Sequence, residues 1–217
     1  MKEIKTLIAV PCKQTVPTKF MRSLEMLRRL PETYTSIMEA TLVHDARNEF
    51  AGIAIMNEFD RVLWLDSDMT FESDLLVRMS SEMDQSEGRI RMLSGLCFLR
   101  VLPTRPVIWS GMEPGTDGMG HDIVHPIPYI DYPRDQLFEV GACGFGAVMT
   151  DVSLLKSVWD KHGPPFNFLY GLGEDLSFCW RVREMGEKIW CDSRLKVGHV
   201  GEMIFGEAMW DEQLRHE

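Results

Sequence analysis

The chain has 217 residues, 45% hydrophobic and 26% charged, the composition of a soluble globular protein able to bury a sizeable core. A formal net charge of -10 argues against a nucleic-acid backbone as partner, because nothing in the chain concentrates Lys and Arg enough to offset it. No apolar run approaches the ~18 residues of a membrane span. The five cysteines form no CxxC pair, and "MKEIKTLIAVPCKQ" has too short an apolar run for a signal peptide, so a cytoplasmic protein without a disulfide framework or a zinc site is expected.

"KTLIAVPC" reads as a first strand reaching Pro11, and "TKFMRSLEMLRRL" places Phe20, Leu24, Leu27 and Leu30 on one helical face, with Thr18 as cap and Pro31 as stop. "TYTSIME" reads as a second strand and "DARNEFAGIAIMNEF" as a second helix with Asp45 near its positive end. "RVLWLDSDMTF" is a buried third strand running into Asp66 and Asp68, and "ESDLLVRMSSEM" a helix capped near Ser73. Alternation of strand and helix predicts a parallel sheet with right-handed crossovers and ligands at the carboxyl ends of its strands.

"RIRMLSGLCFL" makes a fourth strand, after which the regularity breaks. Six prolines between Pro103 and Pro133 predict irregular edge strands and loops over one side of the sheet, a segment suited to shaping a pocket. "LFEVGACGFGAVMTD" returns to strand character, "DVSLLKSVWDKHG" is a helix ending at Gly163, and the loop "PPFNFLYGLG" leads into the helix "EDLSFCWRVREMG". Short strands at "KIWCD" and "LKVGHVG" close the fold. No repeat or low-complexity linker interrupts this order, so a single domain over residues 1–217 is expected.

Chemistry concentrates in four places. Asp66 and Asp68, if extended, point the same way at a strand's end, and two hard oxygen donors suit Mg2+ or Mn2+. The same residues also suit an ordinary turn before the next helix. Glu174 and Asp175 open a helix after a glycine-bearing loop, as dipole-stabilised helix charges or as a general base. His199, between Gly198 and Gly201, is free to turn inward as a ligand or to serve as a structural histidine. Arg47, at a helix start, carries a fork of donors able to clamp a diphosphate.

These features, in the order "IAVPC", "DARN", "LDSDMTF", "GACGFGAVMTD", "GEDLSFCWRVREMG" and "VGHVG", resemble the nucleotide-sugar glycosyltransferases of the GT-A fold, and most nearly glycosyltransferase family 2. The resemblance implies a Rossmann-like, mostly parallel central sheet flanked by helices, with an irregular, loop-rich C-terminal half. Residues up to about 100 would form the nucleotide-binding half and those from about 101 the acceptor and catalytic half. It implies metal ligation by Asp68, ribose or metal contact by Asp66, and a further metal ligand at His199, with Mn2+ or Mg2+ as the ion. Asp175, with Glu174 as alternate, would be the base for an inverting displacement on the acceptor hydroxyl. Pro11 and Glu39 would contact the nucleotide base, and a carboxylate accepting from uracil N3 tilts the donor toward a UDP-sugar. Gly144, within "GACGFG", would lie beneath the donor sugar, although tight strand packing explains such glycines equally well. The acceptor would be a carbohydrate or another hydroxyl compound.

Two rivals share parts of the pattern. "WLDSDMT" also fits the DxDxT signature of haloacid-dehalogenase-like phosphatases, with Asp66 as nucleophile, Asp68 as acid and base, and Thr70 fixing the geometry. That motif normally sits on a first strand, whereas two strand–helix units precede it here. A noncatalytic module binding a sugar nucleotide or glycan would carry every motif above. A pyrophosphorylase is disfavoured because "VPCKQTVP" offers no glycine-rich basic cradle.

Overall fold

The computed structural model describes residues 3–201 and 204–215. Its first half alternates as the sequence predicts: β1 (Thr6–Cys12), α1 (Thr18–Met26), β2 (Thr33–Glu39), α2 (Val43–Met56), β3 (Arg61–Leu65), a short β4 (Met69–Phe71), α3 (Leu75–Gln85) and β5 (Met92–Leu96). There follow β6 (Ile108–Thr116), β7 (Asp122–Pro128), β8 (Leu137–Val140), β9 (Ala142–Cys143), β10 (Ala147–Asp151), α4 (Val152–His162), α5 (Glu174–Glu184), β11 (Ile189–Val200), β12 (Ile204–Phe205) and α6 (Glu207–Leu214). Among these described residues no helix is long and apolar enough to cross a membrane.

The main sheet has the order β12-β11-β5-β10-β3-β1-β2, with β4 and β8 also paired to β11. Strands β2, β1, β3, β5 and β11 run one way, and β10 is inserted antiparallel between β3 and β5. Alternate residues along each strand enter opposite cores, as the two-residue period requires. Leu7, Ala9, Val62, Trp64 and Val148 face α2, α4 and α5, while Ile8, Val10, Leu63, Leu65 and Met149 face α1 and α3. Each such buried side chain contributes about 1.5–3 kcal/mol by leaving water, which is why these strands read as continuous apolar runs. The one polar atom of Trp64 is satisfied by the Thr150 hydroxyl at 2.9 Å.

Several local expectations change. Helix α1 begins at Thr18 with Pro17 at its cap and ends at Met26, a turn short of Leu30; Arg28 N instead donates to Ser73 O at 2.7 Å, tying the chain to the segment before α3. Helix α3 is capped at Asp74, not Ser73, and without a side-chain bond. The proline-rich segment is more regular than expected: β6 and β7 form a long hairpin and β6 also pairs with β9. "KIWCD" and "LKVGHVG" belong to one twelve-residue strand, β11, whose register shifts between Asp192 and Lys196. Ser193, at that irregularity, is buried with its hydroxyl donating to Pro133 O and Gln136 O. Helix α6 has no counterpart among the predicted elements.

Candidate active site

Strand β3 delivers its acids to the carboxyl edge of the sheet, where Asp66 N donates to Gly146 O on the neighbouring segment. The chain then turns rather than continuing extended, with Met69 N donating to Asp66 O at 3.2 Å. That turn sends the two carboxylates to different partners, contrary to the shared direction expected of extended residues. Asp66 Oδ1 accepts from Arg47 Nη2 at 2.6 Å. Strand β4 runs back along β11 with Met69 opposite His199, and Val200 N donates to Asp68 O at 2.7 Å. Asp68 Oδ2 therefore faces His199 Nε2 at 3.2 Å, and Arg100 Nη1 reaches the same oxygen at 2.7 Å.

Arg47 is a buried strut. Its guanidinium bridges Asp66 and, through Nη1 at 2.7 Å, Glu174, while its face lies 5.0 Å from Phe145 and 5.9 Å from Phe166. Its side chain is only 3% exposed, and its Nε has no hydrogen-bond partner. Burial disfavours the charge, but Asp66, Glu174 and Asp175 together keep the guanidinium firmly protonated. Phe145, Phe166 and Phe178 form the floor, with Phe166 stacked on Phe178 at 4.8 Å. Arg47 thus fastens the start of α5 to the turn after β3, and its contact with any diphosphate is limited by these two carboxylates.

Helix α5 starts with Gly173 at its cap and Glu174 and Asp175 in the first turn. Glu174 is engaged by Arg47, whereas Asp175 Oδ1 accepts a hydrogen bond from Leu176 N at 2.8 Å. Burial pushes the Asp175 carboxyl up to about 6, against the pull of Arg47 and with a further push from Glu174 and Asp66. Burial also raises Asp66, outweighing Arg47. Asp68 goes the other way: burial opposes ionisation, yet the hydrogen bond and charge of His199, with Arg100, hold its carboxyl below the usual range. His199 is correspondingly raised, since burial is outweighed by Asp68 and by the Phe98 carbonyl, to which Nδ1 donates at 3.0 Å.

Pro11, Arg47, Asp66, Asp68, Glu174 and His199 line one cavity of about 590 Å³, together with Lys13 and Arg100. Glu39 lies in an adjoining cavity of about 690 Å³ that shares Lys13, Thr15, Ala40 and Thr41 with the first. Asp175 sits one residue beyond the wall formed by Glu174, and a side chain at Gly144 would begin 3.6 Å from its Oδ2. The glycines of "GACGFG" have packing reasons of their own. A Cβ at Gly141 would stand 2.6 Å from the backbone of Gly111, and one at Gly144 would stand 2.6 Å from Val107 Cγ1.

Whether these donors suit a divalent cation can be judged from their chemistry. The Nδ1–H of His199 is committed to Phe98 O, so Nε2 donates to Asp68 Oδ2 while the ring is protonated and, with that proton gone, would offer its lone pair to a cation on the same side. Among the described residues no group of three or more His, Cys, Asp or Glu side chains is placed to hold a metal. One carboxylate and one imidazole fit Mn2+ or Mg2+ arriving with phosphate oxygens and water, rather than an ion caged by protein alone.

Arg100 and Lys13 escaped the sequence reading. Neither belongs to a motif, and Arg100 meets Asp68 only because β4 folds back on β11. Gly201, read as freeing His199, instead makes room for Arg100, whose Cγ would lie 2.9 Å from a Cβ there.

No protein-family model matches this sequence, and no curated protein matches it. Solved structures do match in fold. The protein A197 from STIV aligns with a TM-score of 0.65 at 16% identity, over 91% of this chain and 86% of A197. GalNAc-T7, solved with UDP, GalNAc and Mn2+, aligns with a TM-score of 0.60 at 10% identity over 92% of this chain, which spans 44% of GalNAc-T7. The fold is therefore GT-A-like, with a central mostly parallel sheet flanked by helices.

Proposed function

We propose that this chain is a glycosyltransferase moving a sugar from a nucleotide-diphosphate donor, expected to be a UDP-sugar, to an acceptor hydroxyl with inversion. The observation that carries the reading is the division of labour in one site. An acid with its carboxyl pushed up to about 6, Asp175, directly follows Glu174, which lines a cavity that the Asp68–His199 pair also lines. General bases work best when their affinity for protons approaches the operating pH, and a carboxylate alone in water is too weak. Glu174, neutralised by Arg47, is the poorer candidate for that role.

In the displacement, the acceptor oxygen forms its bond to the anomeric carbon as the bond from that carbon to the diphosphate oxygen breaks. The acceptor proton passes to the Asp175 carboxylate, and the bonding electron pair leaves with the diphosphate. Mn2+ or Mg2+, held by Asp68 and His199, would neutralise charge building on the departing group. Arg47 keeps Asp66 and Glu174 in place beneath the site, and Phe145 and Phe166 exclude water from that floor. The cavity shared by Lys13, Thr15 and Thr41 leads to Glu39 and suits the nucleoside, and Pro11 walls it from the β1 side. The phosphatase alternative needs Asp66 free as a nucleophile, yet its Oδ1 is held by Arg47 and the Thr70 hydroxyl turns away to Gly198 O.

The test is nucleotide release from a panel of UDP-, GDP- and CDP-sugars with Mn2+, with and without carbohydrate acceptors. Release of UDP from at least one UDP-sugar, stopped by chelation, is expected. No release from any donor with metal present would overturn the proposal.

A further inference from the structure

Among the described residues of the site, Arg100 is a cation held by a single carboxylate. Its Nη1 lies 2.7 Å from Asp68 Oδ2, an oxygen that His199 Nε2 also reaches at 3.2 Å. The oxygen that faces His199, and so the one a cation shared with His199 would take, is the oxygen Arg100 covers, so metal binding between Asp68 and His199 requires Arg100 to leave. We infer that Arg100 holds the metal's place: its guanidinium covers Asp68 in the free protein and transfers to the donor's diphosphate when a divalent cation arrives. This inference rests on the glycosyltransferase reading of the site.

Three features fit Arg100 for such an exchange. Its side chain is 51% exposed, against 3% for Arg47, and its remaining contact, Val200 O at 3.5 Å, is at the limit of a hydrogen bond. The loop beneath it is fastened, so that the side chain is the part able to move. Leu99 N donates to Arg105 O, the Thr104 hydroxyl donates to Leu99 O, and Gln213 bonds both the N and the O of Thr104. Finally, the stem lies in a track that only a glycine leaves open, since a Cβ at Gly201 would stand 2.9 Å from Cγ and 3.1 Å from Cδ of Arg100.

Arg100 also lines the cavity with Asp68 and His199, so on leaving Asp68 its donors stay within the space a diphosphate would enter. A planar fork matches phosphate oxygens in pairs, which an ammonium does not. The exchange leaves no charge unpaired, because the divalent cation takes over Asp68 as the guanidinium that leaves it meets the anionic diphosphate. Free Mn2+ without nucleotide should accordingly bind poorly, since it must displace Arg100 with no phosphate to receive it.

The experiment measures Mn2+ binding alone, by the loss of the free-ion electron paramagnetic resonance signal, and UDP binding at saturating Mn2+ by calorimetry. Wild type, Arg100→Met and Asp68→Ala are compared. Arg100→Met is expected to bind Mn2+ alone about tenfold more tightly and UDP with Mn2+ about tenfold more weakly, a coupling of ordinary size. A merely structural residue would move both affinities the same way. Unchanged or weakened Mn2+ binding in Arg100→Met, or unchanged UDP binding, would overturn the inference while Asp68-dependent binding in wild type still upheld the site. If wild type bound neither Mn2+ nor UDP, the functional reading itself would fall, and this inference with it.

Discussion

Replacing Asp175 by Asn separates what the carboxylate does for the reaction from what it costs the fold. Burial raises its pKa from 3.8 in the unfolded chain to about 6, so the native protein holds this proton more tightly than the unfolded chain does. The associated stability is fully present below about pH 4 and declines as pH rises through about 6. That difference in proton affinity corresponds to about 3 kcal/mol at most, and a carboxyl that keeps some solvent contact realises about 1–2 kcal/mol of it. Asparagine never ionises, so at pH 7.5 the variant should be more stable than wild type by that amount, a rise of about 2–8 °C in Tm, and no more stable at pH 4. Turnover should fall by about 10²–10⁴, the usual contribution of a positioned base, with UDP affinity unchanged. Thermal unfolding at the two pH values and initial rates at saturating donor provide the measurements. A variant that is destabilised at pH 7.5, gains the same stability at both pH values, or keeps full turnover would refute the assignment.

The same carboxyl should give kcat/KM an acid limb near pH 6 rather than near 4, read from rates in buffers between pH 5 and 8. Arg47→Met should destabilise by about 2–4 kcal/mol, because it leaves Asp66 and Glu174 without their shared cation, and adding Glu174→Gln should recover part of that loss in denaturant titrations. Gly141→Ala, which forces a methyl to 2.6 Å from the Gly111 backbone, should cost about 2–4 kcal/mol. Gly118→Ala, with open space around it, should change stability by less than about 0.5 kcal/mol in the same assay.

The parts of the fold that depend on local pattern were legible. Strands β1, β3 and β5 are buried on both faces, so their apolar runs stand out, and Gly163 ends α4 at a φ of 76° as its position suggested. What depends on partners was not. "GAVMT" reads as a strand in either direction, and only the pairing of β10 with β3 and β5 makes it antiparallel. "DSR" looks like a break inside β11, yet Asp192 and Ser193 are buried, and their polar atoms are satisfied by Arg194, Pro133 and Gln136 at an irregularity the strand absorbs. Prolines 114 and 126 sit inside paired strands because the β6–β7 hairpin tolerates them opposite Val124 and Met112.

The site divides in the same way. Strand-end acids and a helix-start acid pair announce themselves, and the structure brings Asp66, Asp68 and Glu174 to one cavity with Asp175 next to Glu174 in the chain. The turn after β3, which gives Asp66 to Arg47 and Asp68 to His199, has no signature in residue spacing. For that reason the burial of Arg47 between Asp66 and Glu174 is not legible from its place at a helix start, and Arg100 does not stand out at all.

A metal-assisted nucleotide-diphosphate site built on Asp68 has a direct thermodynamic signature, read by calorimetric titration of UDP into wild type and Asp68→Ala, each with and without Mn2+. Binding by wild type should strengthen at least tenfold with Mn2+, and Asp68→Ala should lose that gain. Absence of UDP, GDP and CDP binding by wild type in the presence of Mn2+, or equal Mn2+-dependent binding by Asp68→Ala, would contradict such a site.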